Sequence, residues 1–415
     1  MSDNLSLYIH IPFCAKKCLY CDFLSFNAGE ELIGSYFDAL IKEIKLSALQ
    51  YKDKKVISIF IGGGTPSFVS EKYICKVLEV VRESFDICDD AEINIEANPA
   101  SAISDKLLAY RRSGVNRLSI GAQSLNDEEL RRLGRVHDSK AFYETYENAR
   151  NAGFSNINID VMSALPSQSL SSYLDTLKRV VELRPEHISA YSLIVEEGTP
   201  FFDMDLDLPD EDTDRQMYHE TKALLKEHGY HRYEISNYAL DGWLDKNETI
   251  GRTASIGFEE LRNENTFETL ECRHNKVYWQ RGNYLGLGLG ASSMISNTRW
   301  SNTSDINDYI RLLTVPSETS DNDSTSALLI RENIEKLSVQ DQMEEFMFLG
   351  LRLVKGVNIN KFSDLFHKDI EEVYGDVISK YKGLGLLEYS EDRTNLRLTE
   401  NGLDVSNTVM ADFLF

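Results

Sequence analysis

No stretch of this 415-residue chain reaches the roughly eighteen uninterrupted apolar residues that a membrane helix needs, which excludes an integral membrane segment. The N-terminus, MSDNLSLYIHIPF, has no basic stretch ahead of its apolar run and reads as a first strand, not a signal peptide. Basic side chains are few: 44 Lys and Arg stand against 67 Asp and Glu, a net charge of -23. A surface of that sign repels phosphate backbones and no basic cluster interrupts it, so nucleic acid is excluded as a partner. Cysteine is sparse as well, with six in the whole chain. Without a secretory leader those thiols belong to a reducing compartment, which argues against a disulfide framework and places the protein in the cytoplasm.

What is present is concentrated at the start. Three of the cysteines, Cys14, Cys18 and Cys21, crowd into LSLYIHIPFCAKKCLYCDF as a C-x-x-x-C-x-x-C pattern directly after a strand-like run. Cluster ligation normally takes four cysteines. A trio with no fourth nearby leaves one iron of a [4Fe-4S] cluster open to an exogenous ligand, and S-adenosylmethionine (SAM), which chelates through its amino and carboxylate groups, is the expected one. Zinc would need a fourth ligand, for which His10 is the only local candidate, and structural zinc prefers C-x2-4-C pairs. Cys75, in a helical pattern, and Cys88, in an expected loop, read as structural thiols.

The length fits two or three domains, and 42% apolar with 27% charged residues is ordinary soluble composition. After the cysteine loop, residues 30–50 place Leu32, Ile33, Tyr36, Phe37, Leu40 and Ile41 at helical spacing. Strand-like VISIFI (56–61), EINIEA (92–97), RLSIGA (117–122), NINIDVM (156–162) and HISAYSL (187–193) then alternate with helical patterns. Six strand-plus-helix units predict an α/β fold with a parallel sheet whose apolar strands are buried on both faces. Six fall short of the eight that close a barrel. The expectation is therefore an open, partial (β/α)6 barrel, with a flat doubly wound sheet as the alternative that periodicity does not separate.

In parallel α/β folds function gathers beyond the carboxyl ends of the strands. The cysteine loop follows strand 1, Gly62 to Thr65 follow strand 2, Glu96 ends strand 3, Gln123 follows strand 4 and Asp160 lies late in strand 5. Five such groups predict one shared mouth. The GGGTPS run lacks the Lys of a phosphate loop; it fits either a tight turn or close approach of backbone to a ligand. Glu96 and Asp160 suit ribose hydroxyls or an ammonium, and Arg135 can fork onto a carboxylate or sit at an exposed helix end.

These residues resemble the radical SAM superfamily and, within it, the oxygen-independent coproporphyrinogen oxidase-like (HemN-like) family. Tyr8, Cys14, Cys18, Tyr20, Cys21, Gly63, Gly64, Thr65, Glu96, Gln123, Arg135 and Asp160 match that family's cluster and SAM ligands, and YIHIPFC, IFIGGGTPS, RLSIGAQS, LGRVHD, NIDVMSALP, EEGTPF, YEISNYA and RHNKVYW extend the match over most of residues 8–290. The chain is most similar to the HemW branch, the heme chaperones. That resemblance implies a [4Fe-4S] cluster, SAM and heme as cofactors, a heme-requiring acceptor protein and a reduced electron donor protein as partners, and cleavage of SAM to a 5'-deoxyadenosyl radical as chemistry the cofactor brings. The alternative is the oxidase itself, converting coproporphyrinogen III to protoporphyrinogen IX. Phe23 stands where the oxidases carry a further cysteine, and Tyr8 lies almost at the terminus where they have a substantial preceding segment. Both features favour the chaperone.

The barrel is expected over 1–240, with HRYEISNYA (231–239) as a strand, and the polar, acidic stretch 241–271 as an insertion loop. A connecting region, 272–330, carries Arg273, His274, Asn275, Tyr278 and Trp279, then three alternating glycines, then a polar linker from 302 to 326. His274 admits two readings, an axial heme ligand flanked by aromatics or an anchor for a turn. Residues 331–415 predict a C-terminal winged-helix-like domain: an apolar helix ending near Gly356, helices around 359–367 and 369–382, a hairpin, and a last helix from Gly402.

Overall fold

The structure is a computed structural model that describes residues 3–241, 270–314 and 326–415. Strand β1 (Asn4–Ile11) leads through the cysteine loop to α1 (Glu30–Gln50). There follow β2 (Lys55–Gly63), α2 (Glu71–Ser84), β3 (Asp86–Ala97), α3 (Ser104–Arg112) and β4 (Arg117–Gln123). After two helices, α4 (Asp127–Arg132) and α5 (Ser139–Asn151), come β5 (Ile157–Ser163), α6 (Leu170–Glu182) and β6 (His187–Ser192). Side chains of Ser70, Asp138 and Ser169 accept first-turn N–H groups of α2, α5 and α6, so each of these helices starts at a residue that can satisfy its orphan donors.

β1 to β6 pair in parallel in chain order. Strictly sequential order with crossovers of one hand puts the helices on a single face and curls the sheet, which decides between the two architectures in favour of the open barrel. One expectation is corrected. The strands are not apolar on both faces: in β1, Leu5, Leu7, Ile9 and Ile11 are fully buried in the main core, while Ser6, Tyr8 and His10 alternate with them on the inner face. The same period of two lines the interior with Ser58, Glu92, Asn94, Arg117, Ser119, Asn158 and His187. β3 also starts earlier than its apolar run, so Cys88 lies on a strand and not in a loop.

After α7 (Glu211–Glu227) the expected single strand at 231–239 is a hairpin, β7 (Tyr230–Arg232) and β8 (Asn237–Leu240). Glu234 makes its corner by accepting from the Ser236 backbone N–H at 3.0 Å. The insertion expected over 241–271 lies outside the described residues except for Asp241, Leu270 and Glu271. Next come α8 (Arg273–Trp279), β9 (Tyr284–Leu287), β10 (Ser292–Ile295), β11 (Thr298–Asn302), α9 (Ile306–Thr314), α10 (Ser326–Leu329) and β12 (Arg331–Lys336). β9 pairs in parallel with β1, and β10 to β12 continue antiparallel to give a 12-stranded order β12-β11-β10-β9-β1-β2-β3-β4-β5-β6-β8-β7. The polar linker read at 302–326 is thus partly a helix: α9 buries Tyr309 and Leu313. Buried Glu43 of α1 ties this extension down, accepting from the Tyr309 hydroxyl at 2.5 Å and from Gly288 N–H and Asn302 Nδ2 at 2.7 Å each.

The last part contains α11 (Val339–Gly350), β13 (Val357–Asn358), α12 (Ile359–Phe366), α13 (Ile370–Gly383), β14 (Leu387–Tyr389), β15 (Asn395–Leu398), α14 (Glu400–Asp404) and α15 (Ser406–Ala411). Three helices and a small sheet of order β13-β15-β14 give the winged-helix arrangement around a separate core that includes Met347, Phe362, Leu396 and Phe413. α11 stops at Gly350, short of the expected Gly356, because the chain doubles back to pack Val357 where a Gly350 Cβ would stand, 2.4 Å from its Cγ1. Among the described residues no helix is long and apolar enough to cross a membrane.

This C-terminal unit bridges the two margins of the open barrel. On one margin Glu345 of α11 receives Arg281 Nε at 2.8 Å and a second bond from Arg299 of β11. On the other, Val354 N–H donates to Tyr233 O at 2.9 Å and Lys222 of α7 pairs with Glu400 at 2.6 Å. Arg281 and Glu345 are almost fully buried, so removing the carboxylate strands a cation. Glu345→Ala is expected to cost about 3 kcal/mol in denaturant unfolding. It should also raise hydrogen exchange along α11; an unchanged midpoint would show that this margin is held by something else.

Candidate functional site

The mouth is built where β1 and β2 end. Gly64 N–H donates to Ile11 O at 2.8 Å and Thr65 N–H to Phe13 O at 2.9 Å, so the cysteine loop leaves the sheet already hydrogen-bonded to the glycine run. Gly63 has φ +108, and a Cβ there would stand 2.4 Å from the His10 ring; one on Gly64 would stand 2.8 Å from Ile11 O. Of the two readings of these glycines, contact between β2 and β1 alone already demands them. The far leg of the loop is pinned by Cys14 N–H to Phe26 O at 3.0 Å and by Leu19 N–H to Leu133 O at 3.1 Å. His10 Nε2 lies 2.8 Å from Leu24 O, which can only accept, so the proton is on Nε2 and Nδ1 accepts from the Tyr8 hydroxyl at 3.0 Å.

All three thiols are free, with Cys14 buried and Cys18 and Cys21 half-buried. Cys14 Sγ is 3.2 Å from Thr65 Oγ1, and Arg135 Nη1 donates to Cys18 Sγ at 3.7 Å. Burial pushes the Cys21 thiol up, and the Cys18 and Cys14 sulfurs are among its electrostatic neighbours. Among the described residues no three His, Cys, Asp or Glu side chains stand in ready coordination geometry.

Behind the thiols lie two half-buried carboxylates. Glu96 Oε2 accepts from Gly63 N–H at 3.2 Å, and its pKa is pushed up to about 7, first by burial and then by Asp160. Burial also raises Asp160, which accepts from Asn158 Nδ2 at 2.8 Å. Two carboxyls that each disfavour the other's charge make a pocket suited to an ammonium and to hydroxyls. Gln123 sits in the left-handed region at φ 65, directly after a register shift in β4. Its Oε1 accepts from the Tyr191 hydroxyl at 3.1 Å. Arg135 is not at an exposed helix end: Nη2 donates to Gly121 O at 2.6 Å, Nη1 goes to Cys18, and Nε is buried without a partner. Two of its five N–H groups are therefore engaged by the protein, and the Nε–H is among those an arriving carboxylate would meet. Tyr20 closes the side of the mouth against Phe201, with ring centroids 6.4 Å apart, and burial raises its phenol pKa.

The cysteines, Tyr8, Tyr20, Gly63, Gly64, Thr65, Glu96, Gln123, Arg135 and Asp160 thus border one mouth. His274 stands deeper in the barrel, beside Ser58, with its ring 5.2 Å from that of Phe60, which in turn stacks on Tyr8 at 6.3 Å. Nδ1 is 2.9 Å from Ser58 Oγ and Nε2 is 2.9 Å from the Tyr278 hydroxyl, the ring is fully buried, and burial lowers its pKa to about 4. Glu92 receives the N–H groups of Arg273 and His274, both at 3.0 Å, so α8 is a plug capped into the barrel's lower end. The anchoring reading of His274 is the one its surroundings satisfy, because neither ring nitrogen is left for iron. Missed from the sequence were Tyr191 and the interior Asn94, whose amide atoms are buried and unpartnered, while His10 was weighed only as a zinc ligand. The alternation of polar residues inside apolar strands was the available signal.

Residues 8–180 match the Radical SAM superfamily and residues 337–405 the HemN C-terminal domain. The chain is 33% identical over 413 residues to the heme chaperone HemW of Lactococcus lactis subsp. lactis, spanning 99% of this chain and 97% of the relative. It is 32% identical over 414 residues to heme chaperone HemW of Bacillus subtilis, 99% of each. The mouse mitochondrial radical S-adenosyl methionine domain-containing protein 1 is 31% identical over 435 residues, 100% of this chain and 88% of the relative. Among solved structures, coproporphyrinogen III oxidase (HemN) from Escherichia coli superposes with a TM-score of 0.79 at 24% identity, covering 99% of this chain and 90% of that one, a likeness of fold.

Two variants test these placements. Because Glu96 binds its proton more tightly folded (about 7) than its ordinary 4.5, it burdens folding increasingly as pH rises between those values and fully above them. Glu96→Gln is expected to stabilise the apoprotein by about 1–3 kcal/mol at pH 8. The gain should vanish below about pH 4.5, read by urea unfolding across pH. His274→Ala, which deletes two buried hydrogen bonds and leaves a cavity, is expected to destabilise by about 2–3 kcal/mol. A neutral His274→Ala would remove the case for a plug.

Proposed function

The chain belongs to the radical SAM family of the HemW heme chaperones, and from that premise we propose that it holds a [4Fe-4S] cluster and SAM at the barrel mouth, binds heme, and passes heme to a heme-requiring protein. The observation that carries this reading is co-extension. Two relatives named heme chaperone HemW, those of Lactococcus lactis and Bacillus subtilis, align with this chain over 97% and 99% of their own length, a span that takes in the barrel, α8 and the C-terminal unit together. A likeness confined to the cysteine loop would support only a cofactor; a likeness over the whole chain supports the activity.

The residues fit the groups this function needs. Three free thiols with no fourth cysteine on the loop match a cluster with one open iron, and Thr65 and Arg135 already address two of the sulfurs. Glu96 and Asp160 are the acceptors for the amino group and ribose of SAM, and the unpartnered Nε–H of Arg135 is the donor for its carboxylate. The group supplies one-electron chemistry when bound. A reduced electron-donor protein is the further partner. The heme iron finds its ligand elsewhere than His274, whose ring nitrogens are committed to Ser58 and Tyr278.

An anaerobic heme titration of the cluster-reconstituted protein, followed by Soret absorbance, tests the proposal. Saturation at one heme per chain is expected, with His274→Ala retaining it in folded protein. Absence of binding, together with turnover of coproporphyrinogen, would replace this reading by the oxidase. Cys21→Ser is expected to lose cluster absorption and SAM binding; a full cluster in that variant would overturn the ligand assignment.

A further inference from the structure

Arg135 is treated above as a ligand-binding residue, yet two of its N–H groups are engaged by the protein itself. Nη1 donates to Cys18 Sγ and Nη2 to Gly121 O, across 117 and 14 residues of sequence. Gly121 O is available because β4 bulges there: the pairing with β5 shifts register between Gly121 and Gln123, and Gln123 takes a left-handed φ of 65. A non-glycine residue in that region stores strain that surrounding contacts must hold. The Tyr191 hydroxyl does so by donating to Gln123 Oε1 at 3.1 Å. Gly121 itself is required, since a Cβ would stand 3.0 Å from Gln123 Nε2 and 3.1 Å from Arg135 Nη2. The segment that carries Arg135 grips the same loop a second time. Leu133 O accepts from Leu19 N–H at 3.1 Å, and Gly134, at φ +72, leaves space that a Cβ would fill at 3.0 Å from Leu19 Cγ.

We propose that Arg135 is a positioning residue that clamps the Cys18 corner of the cysteine loop and, once the trio holds its cluster, sets the reduction potential through an N–H···S bond. The reduced cluster carries one more negative charge than the oxidised one. A buried cation donating to a ligand sulfur stabilises that extra charge and raises the potential. The bulge, Gln123 and Tyr191 hold Gly121 O in place, and with it the edge of the guanidinium that faces sulfur, while Nε–H stays available to a carboxylate. The proposal rests on the cluster assignment, and the experiment separates the two.

Reconstituted wild-type and Arg135→Gln proteins would be titrated electrochemically under anaerobic conditions, following the reduced-cluster EPR signal. Arg135→Gln is expected to keep the wild-type iron and sulfide content while its midpoint moves to more negative potential; Arg135→Lys, which keeps the charge without the fork, should lie between. A midpoint unchanged in Arg135→Gln with a full cluster overturns the proposal. Where Arg135→Gln fails to assemble, resonance Raman of the wild-type Fe–S(Cys) modes in H2O and D2O decides. An isotope shift is expected, and its absence overturns the proposal. A wild-type protein that takes up no cluster would instead remove the cofactor assignment, and this inference with it.

Discussion

The parallel ladder between β1 and β2 does not stop where the strands do. Its last two rungs, Gly64 N–H to Ile11 O and Thr65 N–H to Phe13 O, carry sheet geometry into the cysteine loop and fix where the first thiol can be. Thr65 then meets Cys14 through its hydroxyl, and Gly63 turns its N–H to Glu96. These contacts need backbone to pass within van der Waals distance of backbone and of the His10 ring, which is why side chains are missing at 63 and 64. A loop of eighteen residues between Ile11 and Glu30 would otherwise be free to place three thiols anywhere.

The second constraint is charge. The barrel's interior brings Glu92, Glu96, Asp160, Arg117 and Arg135 together, and Glu96 and Asp160, which lack a full set of donors, are pushed toward their neutral forms. Glu92 is well served, by two α8 N–H groups, and it closes the barrel floor. Glu96 has one N–H and an acidic neighbour. The difference between these two carboxylates on the same strand, four residues apart, separates structure from site. A group left under-satisfied in the native fold is one that a ligand's ammonium would relieve, and the fold carries that burden until the ligand arrives.

Which parts of this were legible in the sequence follows from range. Cys14, Cys18 and Cys21 declare themselves by local spacing, and the polar residues at the ends of strands by the rule that parallel sheets work at their carboxyl ends. Long-range pairings left no such trace. Arg135 was read either as a fork for a carboxylate or as an exposed helix end, and its partners within the protein, Cys18 and Gly121, are set by a bulge that no local pattern announces. His274 was weighed as a heme ligand on residue type; only the fold shows Ser58 and Tyr278 occupying its nitrogens. The polar inner face was in principle readable as a period of two. Reading strands by their apolar runs hid it, since Ser, Asn and even Arg117 inside a barrel interrupt those runs without ending the strand.

The C-terminal unit completes the argument about the open barrel. Six parallel strands leave a gap that eight would close, and the fold extends both margins, with β9 added beside β1 and β8 beside β6. α11 and the turn that follows it then reach from one margin to the other, with Glu345 held by Arg281 and Arg299 on one side and the Tyr233–Val354 bond on the other. Its neighbour α8, the barrel plug, meets it through Trp279, over whose ring Arg352 lies at 4.2 Å. A winged helix without a basic face is here a structural wall. The wall thus meets the barrel at three places, the β9–β11 extension through Glu345, the hairpin through Val354 and the plug through Arg352, and the plug in turn is capped by Glu92 of β3, the strand that ends in Glu96.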